Sequence, residues 1–122
     1  MLYNLKNEME NIKRIFIENA REYHRNALVA ENKSEYNTSV TLYFKAISAL
    51  CDIYIFIKEG KTPSNHTERF RILELKYPEI YKIIDKDFPF YQDSYRAKLT
   101  KEVSLMLKND TKRLFEILGI KI

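Results

Sequence analysis

The sequence predicts an all-α fold, an antiparallel bundle of four main helices with one short extra helix. Three observations carry this. The stretch Val40–Lys58 is the most apolar in the chain, and its apolar residues recur at Val40, Tyr43, Phe44, Ile47, Leu50, Cys51, Tyr54 and Ile57, the three-and-four spacing of a helix face. Ile53, Ile55 and Phe56 add apolar side chains on other faces, as expected of a helix buried nearly all round. Finally, the chain has only two glycines and three prolines in 122 residues, too few turn-formers for a many-stranded β fold.

The first helix is expected from Leu2 to about Ala30. Leu2, Met9, Phe16, Tyr23 and Ala30 recur every seven residues, with Leu5 and Ile12 at the alternate heptad position and Ala20 and Ala27 beside it. Unbroken, it would run roughly 45 Å, with a seam suited to bundle packing. The polar segment Glu31–Glu35 turns the chain, and Ser34 or Asn37 is placed to cap the second helix. That helix runs to about Glu59, where Gly60 ends it. The short link makes the two helices antiparallel neighbours.

Lys61–Pro63 is a turn. Asn65 and Glu68 match a capping box for a third helix that runs to about Lys76 and buries Phe70, Leu73 and Tyr77. Pro78 then suits the first position of a short helix near 79–87, with Ile80, Tyr81, Ile83 and Ile84 inward. Phe88-Pro89-Phe90 reads as a rigid apolar corner. The last long helix is expected from Asp93 or Ser94 to Leu118, closed by Gly119, with an apolar tail at Ile120 and Ile122. The 122 residues suit one domain, with no repeat or linker.

The net charge is +4, with the basic residues spread along the chain, as on a mixed solvated surface. The single cysteine, Cys51, excludes an intrachain disulfide and a zinc motif. It reads as a small core side chain in a cytoplasmic protein. Met1–Glu10 alternates charged and apolar residues, unlike a signal peptide. The apolar runs read as too short and too interrupted to span a membrane. Two glycines cannot build a phosphate loop, and the two histidines lie too far apart to predict a metal site. No cofactor is expected.

Most tyrosines fall near apolar faces and read as core or interface residues. His24 reads as an exposed helix residue, or else as an anion patch with Arg21 and Arg25. The candidate ligand-binding cluster is Tyr91-Gln92-Asp93-Ser94-Tyr95-Arg96, because arginine offers a planar fork of donors to phosphate. To Tyr91, Ser94, Tyr95 and Arg96 we add His66 and Arg69, near the start of the third helix. Arg69 and Arg71 point to different sides, so at most one joins a shared patch.

These features together resemble the HEPN superfamily, small helical domains encoded beside minimal nucleotidyltransferases. A long first helix leads to the run Lys45-Ala46-Ile47-Ser48-Ala49-Leu50 and a glycine turn. Thr62-Pro63-Ser64-Asn65-His66 is similar to the family's Pro-x-x-His turn, and Tyr91–Arg96 to the patch opening its final helix. Active HEPN ribonucleases carry an arginine and then, after four to six intervening residues, a histidine. Here Arg96 is followed at that spacing by Lys101, Glu102 and Val103.

The resemblance therefore implies a non-catalytic member, a homodimer that partners a nucleotidyltransferase. The excess of apolar helix surface also suits a homodimer. The alternative is an RNA- or nucleotide-binding protein using a basic patch around Arg96 and His66. A third reading is a diverged ribonuclease in which the fold brings His66 beside Arg96.

Overall fold

The computed structural model describes residues 2–122, with side chains from residue 4 onward. Its described residues form five helices and no strand: α1 (Leu2–Asn32), α2 (Tyr36–Glu59), α3 (His66–Lys76), α4 (Pro78–Asp93) and α5 (Lys101–Leu118). The all-α bundle is as the sequence predicts. The heptad position at Leu2 lies outside the described side chains.

α2 is the central element. Val40, Tyr43, Phe44, Ile47, Leu50, Cys51, Ile53 and Ile55 are each at most 1% exposed. α1 and α5 flank one part of it, while α3 and α4 cover the rest. The core takes Ala20 and Ala27 from α1, Leu73 from α3, Ile84 from α4, and Leu107 and Phe115 from α5. Contrary to the sequence expectation, α2 is long and apolar enough to cross a membrane by length and composition. Most of that apolar stretch is instead buried against the other helices.

Several helix ends follow the predicted chemistry. Gly60 and Gly119 close α2 and α5 in the left-handed conformation, at φ +77° and +67°, where a side chain would be strained. Asn65 caps α3 by accepting the Glu68 amide at 2.9 Å. The Glu68 carboxylate reaches back to the Ser64 amide, completing a variant capping box. Pro78 occupies the first turn of α4.

The α1–α2 turn differs from expectation. Ser34 adopts φ +59° at the end of α1, and Glu35 precedes α2 with no side-chain cap. Asn37 instead clamps the distant α4–α5 connection. Its Nδ2 donates to the Ser94 and Ala97 carbonyls at 3.0 and 2.6 Å, and its Oδ1 accepts the Leu99 amide at 3.0 Å.

The largest departure is in the C-terminal third. The short helix expected near 79–87 extends to Asp93, and Phe88-Pro89-Phe90 is helical rather than a corner. Proline costs helix stability by removing one backbone donor. Here Phe88, Phe90 and Tyr91 all pack against the core while Pro89 stays exposed, so the side-chain spacing outweighs that loss. Consequently α5 begins at Lys101, capped by Thr100, whose hydroxyl accepts the Val103 amide at 3.3 Å. Tyr91–Asp93 closes α4 instead of opening the last helix.

His24 is the other correction. It is only 6% exposed, with its ring 6.1 Å from Tyr43 and edge-on to Phe115 at 5.6 Å. Ala20, His24 and Ala27 share one helix stripe, and the small alanines let α1 approach α2 closely enough to cover the imidazole. Burial lowers its pKa, and Lys108 lowers it further.

Two polar nodes tie the helices. Glu31 of α1 accepts the Tyr43 hydroxyl at 3.1 Å and the Ser104 hydroxyl at 2.8 Å, and its other oxygen lies 3.3 Å from the Lys108 ammonium. It thereby joins α1, α2 and α5. On α4, Asp87 is fully buried close to Asp110 of α5, which pairs with Lys86 at 3.0 Å.

Candidate functional site

α2 carries a line of polar residues that runs from solvent into the core. Lys45, Ser48 and Asp52 follow one another at helical spacing, with Ala49 between, and they line a cavity of about 280 Å³ that opens to solvent. α1 contributes Asn19 and Tyr23, again one turn apart; α3 contributes His66 and Arg69; and α4 contributes Tyr91. Ser48, Asp52 and Arg69 are buried, while Lys45, Asn19 and His66 are exposed. The site thus has a polar floor and a rim that reaches solvent.

The floor is built on an ion pair. Arg69 Nε donates to Asp52 Oδ1 at 2.6 Å and Nη2 donates to Oδ2 at 2.9 Å. Burial pushes the Asp52 carboxyl up, and the bond from Arg69 pulls it back. Two donated N–H bonds are the geometry of a carboxylate. A charged residue within a buried helix requires such a partner, and the single turn from His66 to Arg69 delivers it.

The third guanidinium nitrogen reaches His66. Arg69 Nη1 lies 2.7 Å from His66 Nδ1. Arginine can only donate, so Nδ1 is the acceptor and the imidazole carries its proton on Nε2. Burial lowers the His66 pKa, with Arg69 and then Lys45 adding to the effect against Asp52. The His66 ring is therefore neutral near pH 7. It sits among aromatic rings, 5.6 Å from Phe88, 6.1 Å from Tyr91 and 6.3 Å from Phe44, and Tyr91 stacks on Phe44 at 4.6 Å.

Two donors that α2 brings to the pocket are unspent. The Ser48 hydroxyl is buried with no hydrogen-bond partner among the described residues. Lys45 forms no ion pair among the described residues. Arg69 is neutralised by Asp52, so Lys45 gives the pocket its uncompensated positive charge. No group of three or more His, Cys, Asp or Glu side chains converges anywhere among the described residues.

The predicted site residues divide into two sets. His66, Arg69 and Tyr91 meet at the pocket. Ser94 is held by Thr41 at 3.0 Å and donates to the Tyr91 carbonyl, a structural role at the end of α4. Tyr95 is 74% exposed, and its hydroxyl lies 2.9 Å from that of Tyr91, which raises the Tyr91 pKa to about 12 together with burial. The Arg96 side chain is 78% exposed, 3.6 Å from Asp93, and does not line the pocket. The basic patch expected from Arg96 with His66 is therefore replaced by Lys45 with His66.

Lys45, Ser48 and Asp52 were missing from the sequence reading as site residues. Their signal was the presence of two charges in an otherwise apolar helix, spaced seven apart and hence on one face. No protein-family model, no curated protein and no solved structure matches this chain, so the HEPN resemblance rests on its residues alone.

Proposed function

We propose that this chain is a non-catalytic helical binding module that takes a nucleotide or RNA in the pocket between α1, α2, α3 and α4. The observation that carries this reading is an uncompensated ammonium, Lys45, beside an unpartnered buried hydroxyl, Ser48, in a pocket with an aromatic wall. Ammonium and hydroxyl donors suit phosphate oxygens. The rings of His66 and Tyr91 supply faces on which a base can stack. One His66 nitrogen is engaged by Arg69 and the pKa is lowered, which suits a fixed donor better than a general base.

Fluorescence anisotropy with labelled RNA and with nucleotides, repeated across a salt series, tests the reading. Binding is expected at low salt, weakening as salt rises because phosphate contacts release counterions. Absence of binding to any nucleotide or RNA at low salt would remove it.

A second reading, the HEPN-like interaction module that forms a homodimer and partners a nucleotidyltransferase, is supported by a different surface. Leu5, Met9, Ile12 and Ile15 on the first half of α1 are 54%, 39%, 38% and 40% exposed. That apolar stripe is the kind of surface that marks an interface. Light scattering coupled to size-exclusion chromatography is expected to give a mass that rises with concentration. A strict monomer over a wide range would count against the dimer. The two readings use separate surfaces and are compatible.

A further inference from the structure

We infer that the pocket receives a single nucleotide through a terminal phosphate, rather than the interior of a nucleic-acid strand, with Lys45 and Ser48 as the phosphate donors. The inference rests on the nucleotide-binding reading above and names the ligand class of that site.

Three features argue for it. The first is size. A cavity of about 280 Å³ sits at the lower edge of ligand pockets, which run from about 300 to 1,000 Å³. That volume suits one nucleotide and not a run of them.

The second is depth. Ser48 is buried below the exposed Lys45, and the Asp52–Arg69 pair forms the floor beside it. A terminal phosphate can reach such a donor end-on. An internal phosphodiester carries the strand onward on both sides.

The third is charge. A groove that tracks a strand carries several cations along the backbone path. Here Asp52 spends both carboxylate oxygens on Arg69, and His66 is neutral. Lys45 remains as one uncompensated cation, one turn from the buried Ser48 hydroxyl, on the same face of α2. One ammonium and one hydroxyl suit a single phosphate group. The Asp52–Arg69 pair adds no net charge at the floor, which favours the Lys45 end. A base then meets the His66 and Tyr91 rings across the pocket.

Isothermal titration with the whole chain tests this. The probes are the four ribonucleoside 5′-monophosphates, the matching 3′-monophosphates, the unphosphorylated nucleosides, and short RNAs with and without a 5′-phosphate. At least one monophosphate is expected to bind, about tenfold or more tighter than its nucleoside, the range of a charge-assisted hydrogen bond. The 5′ and 3′ series, and the phosphorylated RNA, separate a free nucleotide from the end of a strand. Lys45→Gln is expected to remove most of that tenfold difference.

Ser48→Ala loses a hydroxyl that bonds nothing among the described residues, so it serves as the second variant if Lys45→Gln fails to fold. It is expected to weaken the monophosphate several-fold. Equal affinity for monophosphate and nucleoside, or full phosphate preference in both variants, would overturn the inference and leave nucleotide binding standing. So would binding of 5′-hydroxyl RNA with no binding of any monophosphate. Silence from every probe would overturn both.

Discussion

The Glu31 node and the Asp52 node are built from the same chemistry and end in different states. At Glu31 each carboxylate oxygen has a partner, and Tyr43, Ser104 and Lys108 direct their donors to it. At Asp52 the carboxylate is equally saturated, but the surrounding donors are not: Ser48 has no partner among the described residues, and Lys45 stands at the rim. A completed buried network fixes a fold. An incomplete one beside an opening keeps donors in reserve for something that arrives. The contrast separates the polar residues that hold the bundle from those available to a ligand, although all lie on or against one helix.

The contrast predicts an order of effects. Arg69→Ala strands the Asp52 carboxylate in the core and is expected to cost about 3–5 kcal/mol, read as a lower urea midpoint. Replacing Arg69 and Asp52 together by methionine and leucine should recover most of that loss. If the single variant loses less than about 1 kcal/mol, the ion pair does not hold α3 to α2.

Glu31→Ala removes an acceptor from three donors and is expected to cost about 1–3 kcal/mol, with no effect on ligand binding. A loss of binding there would dissolve the distinction between the nodes.

Asp87 offers an intermediate case, a buried carboxyl completed only by a proton. Burial raises its pKa to about 9, with Asp110 adding to the effect. The unfolded chain releases that proton at about pH 4. Folding therefore takes up a proton between these limits, and the stability contributed by this group falls as pH rises from about 4 to about 9. Asp87→Asn donates to Asp110 without needing a proton. It is expected to gain about 1–2 kcal/mol at pH 8 and less at pH 5, in thermal melts across that range. Equal gains at both pH values would contradict a raised Asp87 pKa.

Ser48→Ala gives the smallest stability change, within about 0.5 kcal/mol. A larger loss would mean that the hydroxyl holds the fold.

Legibility of the sequence followed the range of the interactions. Gly60, Asn65, Pro78 and Gly119 act within one turn of their own helix, and each was readable from its neighbours. The buried face of α2 was readable because one periodicity carries it. The α4–α5 boundary was not. Pro89 signals a break locally, and only the packing of Phe88, Phe90 and Tyr91 against the rest of the bundle carries the helix past it. Asn37 looked like a cap because nothing in its own segment reveals the carbonyls of Ser94 and Ala97. His24 was misplaced although it shares a stripe with Ala20 and Ala27, because its polarity was weighed above its spacing. The pocket needed four helices to be placed first. His66, Arg69 and Tyr91 were named, but Lys45, Ser48 and Asp52 were not, because they lie within an apolar run.

Cys51 lies on α2, fully buried, with burial pushing its thiol pKa well up. As the sole cysteine, it makes the chain its own stopwatch. A thiol reagent can reach it only when α2 separates from its neighbours, so the labelling rate, measured against denaturant, times the opening of the central helix. A ligand that bridges α1, α2, α3 and α4 would slow that clock, giving a readout of pocket occupancy from a residue that never touches the ligand.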